Sequence, residues 1–445
     1  MALPGCIALT IRENRTIKNA YLDRIVQKYD LRVSEDKFTP KLYLTPSMQA
    51  SGGKSTTTTA VTDFSGYISE QLPTGASINL SANHDITSAE HARPFRGYGW
   101  SVSLTQPLLK GGGLEVNTAS VRQARLTEQT NILSLKSTIM SAVTSVVTAY
   151  RSYVQAIKAL EISQQSLQRN KDLMDINKEL IAAGRMAAIE LIQSEASVAS
   201  TEFNLLSAEN AVDAARLALN KAIDIDKNTK YVPIMDTSTP PVPFTFEQAK
   251  KLAFENRPDY LTALLSYESQ KIQLVVAKNS TFWDLSLTGG YAENYTRGGA
   301  SGGDASGNNW TTGLKLVIPI GDLTIRQAYI AADIALKKQE NSLAILRESI
   351  EIEVQDALRN AEMNLRQIRL ATLSRQLSEK KVEIETEKLK AGRSTNFQLV
   401  SYQNDLVSAQ NNELGAVISY LNALTSLEQT LGVTLDRWGV SLVER

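Results

Sequence analysis

The sequence predicts an α+β chain in which two long antiparallel coiled-coil α-hairpins continue from amphipathic, transmembrane-length β-strands. Three observations predict it. The order helix, strands, long helix, break, long helix runs twice through the 445 residues. Leu114 to Leu180 holds neither proline nor glycine, enough for a helix of about 100 Å at about 1.5 Å per residue. Segments of roughly ten residues alternate apolar and polar, the length of one tilted membrane strand.

Composition narrows the class. The 47 basic and 47 acidic side chains cancel, so there is no basic footprint for nucleic acid. One cysteine and two histidines exclude a disulfide framework within the chain and disfavour a cysteine-based zinc site. No run of about 18 apolar residues predicts a transmembrane helix, which says nothing about barrel strands. Met1 to Cys6 has no basic or apolar leader. Either the protein is not secreted or its signal peptide has already been removed. Leu3-Pro4-Gly5-Cys6 faintly resembles a lipoprotein box; the simpler reading makes Cys6 a small apolar residue opening the first helix.

Taken in order, the first helical stretch contains Glu13-Asn14-Arg15, which recurs as Glu255-Asn256-Arg257. Alternating segments follow at Lys41–Ala50 and at Trp100 to Pro107, then at Trp283–Glu293 and Trp310–Ile318. In the first copy, residues 51–97 add a weaker strand at about 62–71, a Pro73-Thr74-Gly75 turn, and Ala76, Ile78, Leu80 and Ala82 in alternation. Long polar loops then alternate with short turns, as in an outer-membrane barrel. This makes six strands per chain; the alternative is four, with residues 62–84 a hairpin outside the membrane. Trp100, Trp283 and Trp310 stand at segment ends, where an interfacial aromatic girdle belongs. Isolated strand pairs are not stable sheets, whereas a closed multi-chain barrel leaves no edges.

Pro107 and Pro319, 212 residues apart (319 − 107), each precede a bend, with Gly111 in the first copy and Gly321 in the second. Gly111-Gly112-Gly113 lacks the Gly-Lys-Ser/Thr ending of a phosphate loop, so these glycines serve the turn from strand to helix. Helical hairpins are expected at about 114–222, with a tip near 183–185, and at about 325–431, with a tip near 391–393. Their Gly184-Arg185 and Gly392-Arg393 breaks read as left-handed helix caps. Leu343, Leu346, Ile350, Val354, Ala357, Ala361, Leu365 and Ile368 recur at spacings of 3 and 4, a coiled-coil seam. A proline-rich linker, 231–244, separates the repeats 1–230 and 245–445. His84, Asp85, Glu90 and His91 read as a polar surface loop rather than a metal site. No nucleophile, base or paired-carboxylate set supports an enzyme.

These motifs resemble the outer-membrane efflux protein (TolC-like) family over about residues 5–435. The resemblance rests on Gln106-Pro107-Leu108-Leu109, the two Ala-Gly-Arg tips, Asn14-Arg15, and Asn256-Arg257-Pro258. It implies a homotrimer with one outer-membrane β-barrel and an α-helical tunnel through the periplasm. It implies a passive exit duct of a tripartite efflux pump or type I secretion system, without cofactor or metal. The implied partners are outer-membrane lipid, an inner-membrane transporter (RND, ABC or MFS type), and a periplasmic adaptor (membrane-fusion) protein docking at Gly184, Arg185, Gly392 and Arg393. Many members place acidic residues at a constriction after the second tip; here Gln398 and Ser401 stand there, with Asp405 further on. Glu190 holds the equivalent place after the first tip, with Glu195 beyond it. Three such carboxylates near an axis would favour cations; otherwise they are solvated helix charges. The competing function is a periplasmic coiled-coil adaptor or scaffold, which would ordinarily carry one hairpin and compact β domains.

Overall fold

A computed structural model describes residues 1–53, 56–90, 93–234, 238–298 and 303–441. Helices α1 (Leu3–Glu13) and α2 (Arg15–Glu35) lead to strands β1 (Lys41–Gly53), β2 (Thr56–Gln71), β3 (Ser77–Ala89) and β4 (Phe95–Pro107). The short α3 (Leu114–Asn117) precedes α4 (Ala119–Ala182) and α5 (Ile189–Ile223). The order then resumes with α6 (Phe246–Asn256), α7 (Pro258–Ser280), β5 (Asp284–Gly298), β6 (Ala305–Val317), α8 (Thr324–Lys390), α9 (Asn396–Thr430) and α10 (Thr434–Arg437). With 64 and 67 residues, α4 and α8 are each about 100 Å long at about 1.5 Å per residue.

The chain divides into two units. One comprises Ile25–Asn131 and Ala263–Ala344; the other comprises Met1–Arg24, Ile132–Thr262 and Ile345–Arg445. The first contains an antiparallel sheet of six strands, among the described residues, in the order β1 to β6. The six-strand alternative is therefore the one found. The sheet joins the two repeats through β4 and β5, from Phe95↔Gly298 to Pro107↔Ser286.

The strands run for 13 to 16 residues, longer than the ten-residue segments. Much of the expected long polar loops is thus strand. Ser, Thr and Gly runs show no alternation to read, but their backbone is paired, with one register shift between Ser51 and Gly53 of β1. His84 and Asp85 accordingly lie in β3, not in a loop. As neighbours on a strand they point to opposite faces and cannot converge on one ion. His91 lies outside the described residues.

Apolar clusters among the described residues hold the helical unit. Ile7, Ile17, Ile139, Val143 and Leu435 form one. Cys6, Val146, Tyr150, Leu219 and Ile223 form the next. Cys6 is fully buried in α1, and burial pushes its thiol up to about 11. Leu173 of α4 meets Val382 and Leu389 of α8 and Leu399 and Leu406 of α9 in the third. One correction concerns α4. It holds a window apolar enough to cross a membrane by length and composition alone. Interspersed Ala, Ser and Thr conceal that average from a search for unbroken runs, and Ile139 to Val154 feed the protein cores.

The recurring Asn-Arg pairs break their helices at different residues. Asn14 caps α2, its Oδ1 accepting from the N–H of Thr16 at 2.9 Å. In the second copy the break falls one residue later, at Arg257 (ψ 121°), because the residue before a proline is driven out of the helical region. Arg257 then bonds Asp259 and Glu353 at 2.7 and 2.6 Å.

Candidate functional site

The pairing register sorts the sheet into two chemically distinct faces. One row runs Leu42, Ile68, Leu80, Val102, Tyr291, Trp310 across all six strands. The next row, on the opposite face, runs Tyr43, Tyr67, Ser81, Ser101, Ala292, Asn309. A further row on that second face, Thr45, Ser65, Asn83, Gly99, Asn294, Gly307, has no large apolar member. One face therefore suits an apolar medium and the other water. Both outer edges, on β1 and β6, are without a paired strand among the described residues.

The tryptophans mark the apolar band rather than the strand ends. Trp283 stands at the foot of β5, while Trp100 and Trp310 lie inside β4 and β6. Trp310 is seven residues (317 − 310) from the end of β6, about 24 Å at roughly 3.4 Å per residue. On β4 to β6 this face gains polar residues beyond it, with Glu293 and Asn308 paired and, past the stacked Tyr98 and Tyr295, Arg96 opposite Arg297. The rings of Trp100 and Tyr291 meet at 5.2 Å.

At the first strand-to-helix junction Gly111 has φ +78°. Its N–H donates to Asn279 Oδ1 at 2.7 Å, and its carbonyl accepts from Asn117 Nδ2 at 2.8 Å. Pro107 is half-buried in this turn. Pro319 and Gly321, the latter at φ +78°, form an exposed turn without such side-chain anchors among the described residues.

The two hairpin tips have the same backbone. Gly184 (φ +70°) donates to the Ile181 carbonyl and Arg185 to the Leu180 carbonyl, at 2.9 and 2.8 Å. Gly392 (φ +74°) and Arg393 repeat this with Leu389 and Lys388 at the same distances. Both are left-handed caps of the Schellman type. Both arginines are exposed, and Arg185 Nη2 comes within 3.8 Å of the Cβ position at Gly392, so the tips are neighbours. Only the second helix start has a side-chain cap: Thr395 Oγ1 accepts from the Gln398 N–H at 3.2 Å. The Ser394 hydroxyl and the Lys388 ammonium hold the Glu385 carboxyl below its ordinary range.

The constriction candidates do not converge on one feature. Glu190 is half-buried, with Oε2 shielded from solvent and unbonded. Glu195 is exposed, and Gln398 and Ser401 are half-buried. Asp405 is exposed and reaches Lys381 at 3.4 Å.

Two features escaped the sequence reading. Asn177, Ser194 and Asn396, each no more than 1% exposed, join the hairpins below the tips. Asn177 Nδ2 donates to Ser194 Oγ at 2.6 Å and to Asn396 Oδ1 at 2.9 Å. The seam from Leu343 to Ile368 is buried or half-buried, but α8 also has a second, exposed apolar series. Met363, Leu370, Leu377 and Ile384 stand seven residues apart, after Ile345 and Ile352 at the same step, all 49% to 69% exposed. That seven-residue period was legible; that it stays uncovered was not.

A family model described as outer membrane efflux protein matches residues 7–223 and 250–433. Comparison with curated proteins returns no match. Among solved structures, the outer membrane protein VceC from Vibrio cholerae is 15% identical, with a TM-score of 0.72 over 97% of this chain and 96% of its own. The CmeC outer membrane channel of Campylobacter jejuni is 17% identical, with a TM-score of 0.71 over 97% and 86%. CusC, described in terms of transmembrane channel formation, is 14% identical, with a TM-score of 0.71 over 97% and 92%. At these identities the likeness is one of fold.

Proposed function

The chain belongs to the outer membrane efflux protein family, and from that premise we propose that it is the passive exit duct of a tripartite efflux pump or type I secretion system. The observation that carries this is the sheet: among the described residues, six strands, one apolar face, one polar face and two open edges. Six strands are too few to enclose water, whereas barrels of 16–18 strands leave an aqueous channel. A homotrimer supplies eighteen strands (3 × 6) and closes every edge. The apolar face then meets outer-membrane lipid, with Trp283 at one interface and Trp100 and Trp310 at the other. Pro107 and Gly111, and Pro319 and Gly321, are the bends where the barrel passes into a periplasmic helical tunnel.

The duct does no chemistry of its own; an inner-membrane transporter supplies the energy. A periplasmic adaptor docks at the neighbouring tips around Gly184, Arg185, Gly392 and Arg393, whose arginines are exposed. Glu190 is the carboxylate best placed to act near the tip, having an unbonded oxygen. Glu195 and Asp405, exposed further along, are solvated charges rather than gate residues. The purified oligomer, inserted into a planar bilayer, is expected to give discrete single-channel currents. An intact, folded oligomer that gives none defeats the reading.

A further inference from the structure

We infer that Arg96 and Arg297 hold the uncompensated phosphate of an anionic lipid headgroup against the apolar face of the sheet, at the strand ends away from Trp283; this rests on the duct reading. The two arginines are paired residues of β4 and β5. Like charges directly opposite on one sheet face repel at a separation of about 5 Å. A bridging anion turns that repulsion into attraction, because guanidinium groups bind phosphate oxygens in bidentate fashion. Both side chains are exposed. Few acids face the pair. Asp304 Oδ2 lies 3.9 Å from Arg297 Nε and also accepts from the Tyr295 hydroxyl at 3.4 Å. Arg96 makes no ion pair among the described residues. Glu293 lies four residues below Arg297, and Glu90 four residues beyond Ile86, the partner of Arg96, each about 14 Å away at roughly 3.4 Å per residue. Asp63 and Asp85 pair with each other on the opposite face. From His91 to Tyr98 the chain carries Arg93 as a further cation and no carboxylate. The pair therefore keeps a net positive charge.

The row beneath is aromatic. Phe64, His84, Tyr98 and Tyr295 lie across four strands, with the two tyrosine rings stacked at 4.6 Å. Rings with polar tips belong where acyl chains give way to headgroups. The height agrees. Arg297 is 13 residues past Asp284 (297 − 284), about 44 Å along β5 at roughly 3.4 Å per residue, and about 34 Å along the normal of a barrel tilted by about 40°. The apolar band of such a barrel is about 25 Å tall. Trp100, opposite Glu293, falls at about 23 Å on the same scale. The arginines thus stand about 10 Å beyond the acyl chains, level with headgroups. A lipid in that leaflet contacts the site twice, its phosphate on the arginines and its chains on the apolar face below. Free phosphate has only the first contact, so the lipid is the occupant.

The test places the full-length oligomer in phosphatidylcholine nanodiscs with or without lipid A, a lipid bearing two phosphates that no choline compensates. Lipid A retained through detergent extraction and gel filtration is measured by mass spectrometry. The parent should retain it. Arg96→Gln with Arg297→Gln should retain at least about tenfold less, because two charged hydrogen-bonding groups are lost. Lys158→Gln with Lys171→Gln, in the helical unit, should match the parent. Thermal unfolding is the second readout. Lipid A should raise the midpoint of the parent and not that of the arginine double variant. In phosphatidylcholine alone that variant should be at least as stable as the parent, because the opposed charges are gone. Equal retention by parent and arginine variant overturns the site. Equal retention of lipid A stripped of its phosphates also overturns it. Displacement by millimolar inorganic phosphate makes the site one for a free anion and overturns the lipid assignment. A parent oligomer that forms no channels defeats the duct reading itself.

Discussion

Arg185 and Arg393 close the hairpin tips with their backbone and leave their charges free. Each N–H completes a cap at 2.8 Å, and any residue could supply that bond, so the guanidinium groups are spare. Charge reversal at both positions should leave unfolding stability within about 0.5 kcal/mol. It should weaken adaptor binding roughly tenfold, as expected for two rim charges. Equal affinity for parent and double variant, measured by surface binding, would remove the arginines from docking. At this scale glycines were the legible residues, because a left-handed cap admits almost nothing else. Asn177 and Asn396 were not. In a sequence, an Asn in a helical stretch reads as surface, and only packing against Ser194 shows it fully buried.

Two glycines of the same backbone class separate local from tertiary demands on the elements. Gly184 and Gly432 have φ of +70° and +75°. A Cβ at Gly184 meets open space, whereas one at Gly432 would lie 2.6 Å from the Asn256 carbonyl carbon and oxygen. Gly184→Ala should cost about 1 kcal/mol, the left-handed strain alone. Gly432→Ala should cost more, by about 1–3 kcal/mol, because the end of α9 must move off the α6–α7 corner. Chemical unfolding followed by helix signal compares them, and equal costs would show that the close approach does not matter. Strand extents were less legible than helix extents. The apolar band of β4 to β6 announces itself by alternation, but Asn294 to Gly298 and Ala305 to Asn309 are polar on both faces and are fixed only by pairing.

For the molecule as a whole, the duct proposal gives the unpartnered features one explanation, association with further copies. Among the described residues the sheet has two open edges and α8 an exposed apolar series at a seven-residue step. Burying one such leucine is worth about 1.5–3 kcal/mol, so a few across each junction decide assembly. Leu370→Asp with Leu377→Asp should leave a helical chain that sediments as a monomer in detergent. A double variant that still sediments with the parent oligomer would place the interface elsewhere.

The sequence by itself determined the long helices and the alternating cores of the strands, because helix and strand periods are local and the repeat order is read directly from residues. It determined the tips and junctions, because positive φ selects glycine. Tertiary structure decided what depends on partners. It showed that residues 56–89 join one six-stranded sheet, that Trp100 and Trp310 lie inside longer strands, and that His84 and Asp85 face apart. It also decided which of two apolar stripes on α8 is covered. Both stripes have the spacing of a coiled coil, and spacing alone carries no record of the distant chain segments that bury one and leave the other exposed.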